Sequence, residues 1–192
     1  MTNTPEIAPT TSRWLINSTL SRFTVQAFAG GLLSSFGHSP VIEIPEFSGE
    51  VHLAQDIAQS SCTLTINASA LQVATDMSDK DRLELERAMR EKVLETDGYP
   101  EIVYQCSKVS ASGSGSGPYW AVLNGQLTLH GITRALSISA RVRVDESMLK
   151  VSGSCSILQS DYGIELVSVA GGALKVKDEV KLSFEIAARR ED

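Results

Sequence analysis

Residues 136–144 read Leu136-Ser-Ile138-Ser-Ala140-Arg-Val142-Arg-Val144, with an apolar side chain at every second position and a polar one between. Successive side chains of a β-strand point to opposite faces, so this period of two marks a strand with one buried and one solvated face. The pattern recurs along the chain. It covers 23–27 (Phe23, Val25, Ala27 inward), 62–71 (Cys62, Leu64, Ile66, Ala68), 102–109 (Ile102, Tyr104, Cys106) and 123–130 (Leu123, Leu127, Leu129). It returns at 149–157 (Leu149, Val151, Gly153, Cys155, Ile157) and at 180–187 (Val180, Leu182, Phe184, Ile186), with a further strand expected over 44–53. About eight two-faced strands with turns between them predict an all-β sandwich or barrel.

One segment breaks the period. Ser78 followed by Asp81 is a capping-box start, and 79–95 is rich in good helix formers. Leu85, Ala88, Met89 and Val93 fall on one stripe, and Gly98 and Pro100 stop the run. A single amphipathic helix over about 79–95 is expected, packed on the barrel or capping it. Residues 1–12, rich in Thr and Pro, read as a disordered tail, and 13–189 as one domain. Residues 112–117 (SGSGSG) read as a hairpin loop.

A sheet with one apolar face must cover it. One narrow helix cannot, so the sheet packs on another sheet or closes on itself. An eight-stranded closure leaves an interior either filled by side chains or wide enough for one ligand. Small inward residues (Ala27, Ala68, Gly125, Ala140, Gly153) and an aromatic content of 6% leave room for a cavity. A packed sandwich core accounts for the same alternation.

Other classes find little support. A net charge of −6 offers no footprint for nucleic acid or an anionic membrane. The three cysteines, Cys62, Cys106 and Cys155, are too few for a disulfide framework; on the apolar parity they read as small hydrophobes. His38, His52 and His130 lack ligand spacing, so neither a metal nor another cofactor is expected. Gly113, Gly115 and Gly117 precede a strand rather than a helix, which removes the phosphate-loop reading. With no basic-then-apolar leader at the start, the expected location is cytoplasmic.

Five ordered stretches carry a family resemblance. They are Trp14-Leu-Ile16-Asn17 leading to Ser21-Arg-Phe23-Thr-Val25; Phe47-Ser-Gly49-Glu-Val51; and Gly98-Tyr99-Pro100-Glu-Ile102-Val-Tyr104 after the helix. Then come Gly125-Gln-Leu127-Thr128-Leu129-His130-Gly131-Ile132-Thr133, and Asp161-Tyr162-Gly163-Ile164 with Lys177-Asp178-Glu179-Val180-Lys-Leu182. In these the chain resembles the YceI-like family of lipocalin-like, polyisoprenoid-binding proteins. The resemblance implies an extended eight-stranded antiparallel barrel with a helix, an apolar tunnel for an isoprenoid chain, and binding without catalysis. Many family members are exported. The chain departs from the pattern at Leu20, where the family often has His, and at Gln159, where it usually has Arg; 30–45 is longer than expected.

The expected tunnel lining is Phe23, Val25, Leu64, Ile66, Tyr104, Leu127, Leu129, Ile138, Ile157 and Phe184. At the mouth, Arg134 shares the inward parity and would grip a phosphate or carbonyl head group. The competing reading makes it a solvated turn residue, since the turn at Gly131 resets parity. His130 is expected to shape that turn through a hydrogen bond, and Asp161 and Tyr162 to close another at the rim. The expected partner is an isoprenoid or similar amphiphilic lipid, with no nucleic acid; homodimerisation is compatible with the sequence. Carriage or storage of such a lipid competes with an isomerase or hydrolase reading that would use Tyr104 or Arg134 inside the same tunnel.

Overall fold

The computed structural model describes residues 11–30, 39–112, 118–166, 168–169 and 174–191. In chain order the strands are β1 (Thr11–Ile16), β2 (Arg22–Gly30), β3 (Val41–Glu43), β4 (Phe47–Ala54), β5 (Ser61–Asn67) and β6 (Gln72–Val73). They continue as β7 (Glu101–Ser112), β8 (Tyr119–Leu129), β9 (Ile132–Val144), β10 (Met148–Leu158), β11 (Ser168–Val169) and β12 (Leu174–Arg190). All the pairings are antiparallel.

Eight of these strands form a closed ring in the order β1-β4-β5-β7-β8-β9-β10-β12, sealed where β12 returns to β1. The fold is therefore the expected eight-stranded antiparallel barrel with a lipocalin-like architecture, not a sandwich. Closure leaves no free edge on the ring and turns every inward parity toward one interior.

The strand boundaries differ from expectation in several places. Thr11 and Ser12 belong to β1, opposite Ala54 and Leu53, rather than to the tail. The rest of that tail and the Gly run at 113–117 lie outside the described residues. The ring strand is also β1 rather than the expected strand at 23–27. A short 3-10 turn, Ser18–Leu20, breaks one long run into β1 and β2 along the same edge of β12. The expected strand over 44–53 starts instead at Phe47.

At the end of the barrel away from β1, β2 splays off and pairs with β3, which pairs with β6. The helix follows. Ser78 Oγ accepts the Asp81 N–H at 3.1 Å and donates to Asp81 Oδ2 at 2.7 Å, so Ser78 is the N-cap at the start expected from the sequence. Helix α1 (Asp79–Ala88) widens into a π turn, Met89–Val93, two residues short of the expected end. On α1, Glu86 Oε1 accepts the Val73 N–H at 2.9 Å, and Arg82 Nη1 donates to the Val73 carbonyl at 3.3 Å. Two helix side chains thus satisfy the outer backbone edge of β6, where a strand would otherwise be needed.

Candidate functional site: an apolar barrel cavity

The inward faces enclose a cavity of about 310 Å³, at the lower end of the usual range for small-molecule sites. Its walls come from every ring strand, and the helix stripe (Leu85, Ala88, Met89, Val93) covers part of one end. All ten side chains expected to line a tunnel face this single space. The described lining carries no formal charge; its polar side chains are Ser60, Cys62, Thr63, Tyr104, Tyr119, Cys155 and Gln159.

The small inward residues do not all leave room. At Gly125 a Cβ would stand 2.8 Å from the Tyr104 hydroxyl oxygen and 2.4 Å from the Gln105 carbonyl. At Gly153 it would stand 2.9 Å from Phe184 Cζ. Both glycines are seats for rings from the neighbouring strand, so the space they release is occupied. Tyr104 is fixed there because its hydroxyl donates toward the carbonyls of Leu123 (2.9 Å) and Leu136 (3.2 Å), and burial pushes its phenol upward. A phenol tied to two carbonyls in an apolar wall is not a base. Phe23 stacks edge-on against both Phe47 and Phe184, at 6.3 and 6.1 Å between centroids.

The four mouth residues gather at the helix end. His130 and Gly131 form the two-residue turn between β8 and β9, with φ of 50° and 72°. Positive φ at both central positions is the type I′ hairpin geometry, which suits a strand pair of right-handed twist. Gly131 is required twice over: a Cβ there would approach Tyr99 Cε1 to 2.6 Å. The His130 ring lies 4.4 Å from that of Tyr99, its Nδ1 is 3.2 Å from the Tyr162 carbonyl and its Nε2 is 3.2 Å from Glu95 Oε2. His130 therefore joins the turn, the residues after the helix and the 3-10 turn Gln159–Tyr162 in one place.

Arg134 sits opposite Leu127 and so keeps the inward parity, yet it is exposed. Its Nε donates to the Asp161 carbonyl at 3.1 Å, and it does not line the cavity. The backbone keeps the inward parity, but the strand ends at the rim, and a long side chain there leaves the barrel. Tyr162 is buried beneath; burial raises its phenol, the Asp161 charge adds to this, and Arg134 partly offsets it. Asp161 itself is exposed and offers its carbonyl, not its carboxylate, to Arg134.

Gln159 occupies the position where the family pattern has Arg. It lines the cavity, and its Nε2 donates to the Lys177 carbonyl at 2.9 Å. Sequence reasoning marked Gln159 only as a family departure and placed neither it nor Leu94, just past the π turn, in the cavity wall that both line. The family departure was the available signal for the first; the second lies just past the stripe read at helical spacing.

Comparison with solved structures agrees with this architecture. The crystal structure of BcnA from Burkholderia cenocepacia superposes with a TM-score of 0.68 at 16% identity, covering 90% of this chain and 98% of that one. A polyisoprenoid binding domain from Saccharophagus degradans, implicated in plant cell wall breakdown, gives 0.69 at 14% identity over 95% and 100%. The YceI protein of Campylobacter jejuni gives 0.56 at 12% identity over 79% and 85%. At these identities the likeness is one of fold. No curated protein sequence matches the chain. The YceI-like domain family, however, matches residues 14–188, from the buried Trp14 into the pairing of β12 with β1, and the chain belongs to that family.

Proposed function

We propose that this protein holds a polyisoprenoid or similar long-chain amphiphile in its barrel, as a carrier or store, and does no chemistry on it. The observation that carries the reading is the 310 Å³ cavity whose described lining has no charged side chain. Such a space favours a hydrocarbon, which gains roughly 25 cal/mol for each Å² of apolar surface removed from water, less the cost of ordering it. The family and the barrel both fit an apolar ligand. The ten lining residues would contact the tail. A polar head would lie at the helix end, near His130, Arg134, Asp161 and Tyr162, where the Arg134 guanidinium stands at the surface with its Nε donating to a carbonyl. The enzyme reading is weaker because its inner candidate, Tyr104, is held by two carbonyls and its outer one, Arg134, stays off the cavity wall. A reducing compartment suits the sparse cysteine content.

Solvent extraction of freshly purified protein followed by mass spectrometry tests this. A stoichiometric lipid is expected from the wild type. Leu129→Asp and Ile138→Asp should abolish its retention, because each puts an unpaired charge in the wall. A clean extract from the wild type, or unchanged lipid in a folded Asp variant, overturns the reading.

A further inference from the structure

Cys62 on β5 and Cys106 on β7 stand directly opposite one another on the inner face of the barrel. The register places Ala68 opposite Pro100, and the Ala68 N–H donates to the Pro100 carbonyl at 2.9 Å. Counting back in steps of two, Cys62 and Cys106 occupy the hydrogen-bonded type of pair, for which the Cα atoms stand about 5.5 Å apart. That lies within the separation a disulfide spans, about 4.4–6.8 Å. Both thiols are free, and the Cys106 thiol donates to the Lys108 carbonyl at 3.5 Å. Cys62 meets the cavity, while Cys106 lies behind it at 3% exposure.

A break in the ladder favours reactivity at Cys106. The register of β7 against β8 slips between Cys106 and Lys108, and the backbone N–H groups of Lys108 and Asn124 bear on the Cys106 sulfur. Amide hydrogens gathered at such an irregularity stabilise a thiolate, as does the neighbouring thiol. The pair divides accordingly: Cys106 is shifted down, and Cys62 is shifted up by its neighbour and by burial. At Cys155 burial pushes the thiol up to about 11.

We infer that Cys62 and Cys106 form a redox-active dithiol in the cavity wall, closed to a disulfide by an organic hydroperoxide that enters the cavity. One sulfur attacks the terminal oxygen of the hydroperoxide; an S–O bond forms, the O–O bond breaks, and the departing alkoxide takes a proton to become an alcohol. The second sulfur then displaces water from the resulting sulfenic acid, forming the S–S bond. Two thiols are oxidised, and the hydroperoxide is reduced to an alcohol and water. The oxidant class follows from access: Cys62 opens onto an uncharged, apolar space, which admits a small neutral molecule and disfavours a charged peptide disulfide.

The test uses the full, reduced chain treated with tert-butyl hydroperoxide, denatured and alkylated. Alkylatable cysteines should fall from three to one, with peptide mapping joining Cys62 to Cys106, and dithiothreitol should restore all three. Oxidised glutathione should act more slowly at equal concentration. Cys155→Ser should keep the crosslink, and Cys62→Ser or Cys106→Ser should lose it. Three surviving thiols, a crosslink through Cys155 or between chains, or faster oxidation by glutathione disulfide would each overturn the inference. The wild-type result decides the matter even if a serine variant fails to fold, and it reads thiols rather than lipid, so it fails separately from the lipid-holding proposal.

Discussion

The two ends of this barrel are closed by different physics. At one end β1 lies between β12 and β4, and backbone hydrogen bonds join all three, with Trp14 buried at the seam. At the other end the ring loosens into β2, β3 and the two-residue β6. There the closing element is a helix held by Glu86, Arg82 and a narrow apolar stripe. Opening the first end means breaking a cooperative ladder. Opening the second means releasing two side-chain contacts and some apolar cover, the kind of local opening whose free energy lies well below that of global unfolding. The difference indicates where a barrel without free edges has its weakest closure.

The sharpest way to break this contrast is at the ladder end. Trp14→Ala removes a side chain only 2% exposed and should cost about 3–5 kcal/mol. Urea unfolding reads it; a smaller loss than from any helix-end substitution would invalidate the comparison. At the helix end, Met89→Ala should cost only about 2 kcal/mol, the low end for such truncations, because the side chain already borders a hollow. The same variant should exchange a bound apolar fluorophore faster than the wild type in stopped-flow measurements.

Glu86→Ala strips the acceptor from the Val73 N–H and should cost about 1 kcal/mol. Amide hydrogen exchange should accelerate at Val73 and along the helix while β1 and β12 stay protected; acceleration at both ends would show that closure is one cooperative unit. The smallest effect belongs to Asp178, which accepts the Ser160 N–H (2.8 Å) and hydroxyl (2.5 Å) and ties the rim turn to β12. Those hydrogen bonds hold its carboxyl below the usual range. Its stabilisation is complete above the ordinary aspartate pKa and is lost as pH falls through the depressed folded value. Asp178→Asn should flatten that acid limb slightly in a series of unfolding curves, and only slightly, since the group faces water.

Much of this was legible in the sequence because it is local. Leu136, Ile138, Ala140 and Val142 alternate, and β9 follows; Ser78 and Asp81 cap, and α1 starts there. The inward parity of Leu129, Ile157 and Phe184 was equally plain, since a strand has only two faces. Legibility stopped where a side chain's fate depends on what lies beyond its strand. Arg134 had the right parity but stands at a rim where the wall ends. Gly125 and Gly153 resembled empty space and proved to be seats for Tyr104 and Phe184.

The sequence by itself determined most of the ring strands, the helix and which side chains turn away from water, because periodicity and capping are properties of a few neighbouring residues. Only the tertiary structure decided that the sheet closes on itself, that β1 rather than β2 seals the ring, and that Cys62 meets Cys106 across two strands separated by the helix. Register and closure pair residues far apart in the chain, and nothing in the local pattern of either partner names the other.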